Sequence, residues 1–251
     1  MKNKPIEIYA KLTPERHEAV FSGIKFSDFI ECTPIPVENI LSPFLICVGG
    51  KSHRRFKLLE GRDDIAKLLR RDIYNFGDFG FVDYADTASI CQLTEEQLAE
   101  LLYLMHMFKP LKSQFFDVLQ NNYAYLSHDD GWYCKLYCKE QQALLTLLIN
   151  KVLKSVQQKL GNTISSLPHD LVENIAMLSL QGLLIQLHVS EGRNKAVTIK
   201  LYEVGEYEDM NALFNHFESD SPPVSYEVQL QQNIKTLTDP WYFRFFRSKR
   251  N

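Results

Sequence analysis

Two short stretches hold the residues best equipped for chemistry. In Ser-His-Asp-Asp-Gly-Trp-Tyr (127–133), His128 adjoins Asp129 and Asp130, with Trp132 beside them. An imidazole titrates near neutral pH, and a carboxylate can orient it or share a metal ion with it. His128 and Asp129 could therefore form an acid–base or metal-binding group against a Trp132 wall. The competing explanation is a hairpin turn, because Asp130-Gly131 is what a tight type I′ turn demands. Turn length sets the face: a two-residue loop pairs His128 with Tyr133, and a three-residue loop pairs it with Trp132.

The second stretch, Phe-Gly-Asp-Phe-Gly-Phe-Val-Asp-Tyr-Ala-Asp (76–86), interleaves aromatic rings with Asp78, Asp83 and Asp86. Strand alternation puts Phe79, Phe81 and Asp83 on one face and Gly80, Val82 and Tyr84 on the other. The expectation is an aromatic core strand with aspartates at its edge or turns, with Gly77 and Gly80 marking kinks or close approach. A sharper alternative holds Asp78 and Asp83 beside an aromatic floor to receive a cation or substrate. The Asp-Phe-Gly tripeptide at 78–80 follows Arg71-Asp72, as in protein kinases. Here Asn75 comes only three residues after Asp72 and Asp78 six after it, so the kinase spacing fails. The binding candidates are therefore Asp78, Asp83, His128, Asp129 and Trp132.

Other motifs weaken on spacing. Val-Gly-Gly-Lys-Ser-His (48–53) lacks the earlier P-loop glycine, with Leu45 in its place, and a strand rather than a helix follows it. Cys134 and Cys138 fall four apart on a strand, about 13 Å, too far for two Zn–S bonds. His169-Asp170 matches a doublet of metal-dependent phosphohydrolases, with His106 as a further candidate by helix location alone. No metal ligand set and no cofactor motif emerges. The tail Trp-Tyr-Phe-Arg-Phe-Phe-Arg-Ser-Lys-Arg-Asn mixes rings with Arg244, Arg247, Lys249 and Arg250. It suits a closing strand with outward bases, a nucleic-acid contact or a membrane-interface contact, and the closing strand leads.

The elements that must position these residues are legible as alternation and periodicity. Ile6 and Ile8 open a strand, and Thr13-Pro14 starts an expected helix through Phe21. Residues 44–48 and 54–59 read as strands joined by Gly49-Gly50, followed by an amphipathic helix from Arg62. Thr94 and Gln97 form a capping box for a helix over 95–108 with a Leu98, Leu101, Leu102, Met105, Phe108 stripe. A hairpin surrounds Asp130-Gly131, and helices cover 139–160 and 168–179. A second hairpin pairs Leu183, Ile185, Leu187 and Val189 with Val197, Ile199 and Leu201. A helix carrying Met210, Leu213, Phe214 and Phe217 precedes a last strand and the tail. Neighbouring strands with helices between pairs predict an α+β fold, its antiparallel or mixed sheet built from hairpins with packed amphipathic helices. One domain over 1–251 is expected, with a possible division into lobes 1–161 and 162–251.

Composition fits that frame. Of 251 residues 45% are apolar and 24% charged, and the formal net charge is −3, so no global field draws the chain to nucleic acid. No run reaches the apolar length of a membrane span, and the N-terminus lacks the apolar core of a secretory signal. Five scattered cysteines do not suggest a disulfide framework. These features favour a cytoplasmic, non-catalytic binding or regulatory protein acting through protein–protein contacts. The alternatives are a metal-dependent hydrolase using Asp and His residues, and a nucleic-acid binder using the basic tail.

Overall fold

The computed structural model describes residues 6–43, 51–71, 79–128, 133–160, 164–190, 195–207, 209–220, 222–233 and 242–247. Side chains are described up to residue 231, except that of His53. The fold is α+β, and every strand pairing described is antiparallel.

In chain order, β1 (Ile6–Thr13) leads through a 3-10 turn (Pro14–Arg16) into β2 (Glu18–Ser22), then α1 (Phe26–Cys32) and β3 (Asn39–Ser42). Next come β4 (Lys51–His53), β5 (Phe56–Glu60), α2 (Gly61–Leu69), β6 (Phe79–Asp83), α3 (Thr87–Cys91) and α4 (Glu95–Met107). The hairpin β7 (Tyr123–His128) and β8 (Tyr133–Cys138) precedes α5 (Gln141–Leu160) and α6 (His169–Ser179). The chain closes with β9 (Leu183–Ser190), β10 (Ala196–Glu203), α7 (Met210–Asp220), β11 (Tyr226–Asn233) and β12 (Tyr242–Arg247). Contacts gather these into two compact units, residues 13–144 and residues 1–12 with 145–251, and the boundary falls inside α5.

In the 13–144 unit the strands run in the order β2-β8-β7-β6-β3-β5-β4. Alternation along β6 sorts its residues as the sequence implies. Phe79 and Phe81 meet Phe26 of α1 at ring distances of 5.0 and 5.7 Å, and Tyr125 stacks on Phe81 at 5.4 Å. On the opposite face Val82 and Tyr84 join a core with Leu98, Leu101, Leu104 and Met105 of α4. A Cβ on Gly80 would press on Leu126 Cδ2 at 3.3 Å and meet Met105 Cβ in ordinary contact at 3.5 Å. The capping box is formed: Thr94 Oγ1 accepts from Gln97 N–H and Gln97 Oε1 accepts from Thr94 N–H, at 3.2 and 3.0 Å.

Two local expectations are corrected. Residues 13–21 do not form a helix. The turn ends at His17, whose φ of 54° is left-handed, and Ala19, Val20 and Phe21 pair with Leu136, Lys135 and Cys134 of β8. Strand pairing that buries all three outweighs the local Thr-Pro-Glu start signal. The strand expected from 54 begins at Phe56, after β4 and a turn at Arg54 with φ of 54°, and the expected strand 44–48 with its Gly49-Gly50 loop lies outside the described residues.

In the other unit the order is β12-β11-β10-β9-β1. The expected β9–β10 hairpin forms, with Val189, Leu187 and Ile185 facing Val197, Ile199 and Leu201. The aromatic-basic tail enters this sheet as β12, whose Phe245 pairs with Leu230. Among the described residues no helix is long and apolar enough to cross a membrane.

Candidate binding cleft

Strand β6 ends at Asp83, and there the sheet of the 13–144 unit opens into a cleft of about 650 Å³. Four segments line it: Glu38 and Asn39 entering β3, Asp83 to Ala85 leaving β6, Asp117 to Asn122 ahead of β7, and Lys139 after β8. Asp83 forms the buried floor at 6% exposure. Its Oδ1 accepts from the backbone N–H of Tyr123 at 2.5 Å and of Asn122 at 2.9 Å. Its Oδ2 accepts from Asn122 N–H at 3.1 Å and Asn122 Nδ2 at 3.4 Å. The carboxylate thus ties the start of β7 to the end of β6.

Among the described residues no cation pairs with Asp83. Burial pushes its carboxyl up to about 6, against the N–H groups of Tyr123 and Asn122, which favour the charged form. Asn39 braces the facing wall. Its Nδ2 donates to the Tyr84 and Ala85 carbonyls and its Oδ1 accepts from Gly61 N–H, all at 3.1 Å. Ala85 N–H donates to Leu119 O at 3.0 Å and Lys139 N–H to Asn122 O at 2.8 Å. Glu38, Asp117, Gln120 and Lys139 stay exposed at the rim. Three carboxylates against one ammonium, with several amides, make the cleft a polar surface suited to positively charged, hydrogen-bonding groups.

His128 occupies the other end of β7. Val82 pairs with Ala124, so Asp83 is level with Tyr123, and His128 lies five residues further on, about 16 Å away at 3.3 Å per residue. His128 pairs with Tyr133, the register of the two-residue loop. Its half-buried ring rests between Phe108 and Tyr133, at 4.4 and 4.2 Å. Asp78, Asp129 and Trp132 lie outside the described residues. Asp86 accepts from Ser89 N–H at 2.9 Å and caps α3.

The remaining candidates are engaged separately. His169 is paired with Glu173 at 3.5 Å, and Asp170 accepts from the Tyr226 hydroxyl at 2.9 Å. Cys134 and Cys138 are buried free thiols on β8, as is Cys32 on α1, whereas Cys91 is exposed. Burial pushes the Cys134 and Cys138 thiols up to about 12 and about 11. Among the described residues no three of His, Cys, Asp and Glu gather closely enough to hold a metal ion. Arg244 and Arg247 belong to β12, while Lys249 and Arg250 lie outside the described residues.

Sequence reasoning singled out Asp83 and missed Glu38, Asn39, Asp117, Gln120, Asn122 and Lys139. One signal was present: Asn121-Asn122 directly before an alternating run is the kind of pair whose side chains hydrogen-bond nearby backbone. Asn121 does so, accepting from Phe116 N–H at 2.7 Å and donating to Gln114 O and Tyr123 O. Comparison with known proteins returns no matching family model, no similar curated protein and no similar solved structure.

Proposed function

We propose that this protein is a non-catalytic binding protein that acts through protein–protein contact, with the cleft beside Asp83 as its contact site. The observation that carries this is the cleft's makeup: a braced wall of backbone and amide groups with an excess of carboxylates, Glu38 and Asp117 exposed at its rim. Such a surface favours a basic, hydrogen-bonding segment of a partner protein over an acidic one or a phosphate backbone. Asp83 itself supports a positioning role, because its oxygens hold the N–H groups of Asn122 and Tyr123 that form the cleft wall. The buried free thiols Cys32, Cys134 and Cys138 favour a reducing compartment, and the cytoplasm is the proposed location.

The test is a photo-cross-linking residue at Gln120 in the full chain, expressed in its native host. A discrete protein adduct is expected from Gln120 and not from Met177, an exposed residue of α6 in the other unit. Adducts from Met177 with none from Gln120 would remove the cleft as the contact site.

A further inference from the structure

The groups around the cleft divide unevenly between hydrogen-bond donors and acceptors. Most N–H groups of its lining are already engaged inside the protein. Asn39 Nδ2 donates to the Tyr84 and Ala85 carbonyls, Ala85 N–H to Leu119 O, Gln120 N–H to Phe116 O and Lys139 N–H to Asn122 O. Asn122 turns both its backbone N–H and its Nδ2 onto Asp83. The acceptors are left over. Among the described residues nothing donates to the Glu38 carboxylate, the Asp117 carboxylate or Asn122 Oδ1, all on the lining.

The floor continues this imbalance. Asp83 is nine-tenths buried, no cation pairs with it among the described residues, and its contact from Asn122 Nδ2 is long at 3.4 Å. A carboxylate so far from water ordinarily has a cation beside it. The lining supplies only the Lys139 ammonium, at the exposed rim.

We propose that the cleft is a guanidinium site, filled by an arginine side chain of the partner protein. The inference rests on the cleft being the contact site and adds which side chain enters it. A guanidinium carries five N–H donors in one plane and no acceptor, which matches a wall with unused acceptors. It also gives up its water more readily than an ammonium, whereas lysine presents three donors at a single, strongly hydrated point. A cleft of about 650 Å³ has room for such a side chain together with the backbone that carries it. With Glu38, Asp83 and Asp117 against Lys139, the lining stays net negative after one guanidinium has entered.

The experiment titrates the isotope-labelled full chain with Nα-acetyl-arginine amide at neutral pH and follows the backbone amides of Ala85, Asn122 and Tyr123 by NMR. Nα-acetyl-lysine amide and Nα-acetyl-citrulline amide, which keeps the shape without the charge, are titrated alongside. Saturable shifts at these amides are expected with arginine, with a Kd of about 1–10 mM for a single side chain. Binding should be about fivefold weaker with lysine and absent with citrulline. In Glu38→Gln with Asp117→Asn the arginine Kd should rise about tenfold. No saturable shift with arginine, equally tight binding of lysine or citrulline, or an unchanged Kd in the double variant would each overturn the proposal. The three wild-type titrations decide it even if the variant does not fold.

The photo-cross-link at Gln120 separates this inference from the reading beneath it. A protein adduct from Gln120 with no binding of arginine amide would overturn the guanidinium site and leave the contact site standing. Binding of arginine amide with no protein adduct would support the guanidinium site and remove the partner protein as its source.

Discussion

Two places in this chain pin a loop to the end of a strand, one with neutral groups and one with a charge. After β10, Val204 N–H donates to Gly182 O at 2.9 Å, and the two backbones come so close that a Cβ on Gly182 would lie 1.8 Å from Gly205 O. The Tyr9 hydroxyl completes that corner, donating to Gly205 O and accepting from Tyr207 N–H, both at 3.0 Å. Ahead of β7, by contrast, the same task falls to the Asp83 carboxylate. The neutral corner leaves no space for a methyl group and is closed by backbone groups and the phenol of Tyr9, pushed up by burial to about 12. The charged corner leaves a polar cleft and puts a buried titratable carboxyl under its wall. Backbone contact serves stability alone, whereas a buried carboxylate trades stability for a surface that can respond.

Substitutions in the two corners separate these roles. The largest effect is expected at Gly182→Ala, where a φ of 103° and the collision with Gly205 O act together. A loss of about 4 kcal/mol or more in denaturant unfolding is expected, or failure to fold. A loss below about 1 kcal/mol would mean that the corner is far looser than drawn.

Asp83→Ala should cost about 2–3 kcal/mol, because the Asn122 and Tyr123 N–H groups lose their acceptor. The sign of its pH dependence follows from the raised carboxyl. Wild type gains stability from Asp83 as pH falls from about 6 towards 4, and loses it as pH rises through the same window. The deficit of Asp83→Ala should therefore be larger at pH 4.5 than at pH 7.5, by about 2 kcal/mol. Paired urea titrations at the two pH values read this directly, and a larger deficit at pH 7.5 would reverse the account of this corner.

Tyr9→Phe removes two neutral hydrogen bonds and should cost about 1–2 kcal/mol, equally at pH 5 and pH 8. A deficit that changes between those pH values would erase the contrast between the corners.

The sequence carried the elements far better than it carried the cleft. Both hairpins, the α4 capping box and the two faces of β6 were readable because each rests on spacing of two, three or four residues. The helix expected at 13–21 failed because its fate depends on Leu136, Lys135 and Cys134, more than a hundred residues away. The cleft was opaque for the same reason. Asp83 and His128 both looked chemical, yet strand register sets them about 16 Å apart. Asp83 instead meets Asn122, which nothing in its local sequence links to an aspartate 39 residues earlier. Glu38, Asp117 and Lys139 are ordinary surface residues until three loops bring them to one rim.

The claim that this rim recruits a partner through charge is tested most directly by the Gln120 cross-link in two backgrounds, wild type and Glu38→Arg with Asp117→Arg. Both substituted residues are exposed, so folding should be unaffected, within about 0.5 kcal/mol. A protein adduct present in wild type and lost in the charge-reversed chain is the expected result. An adduct of equal yield in both backgrounds would contradict it.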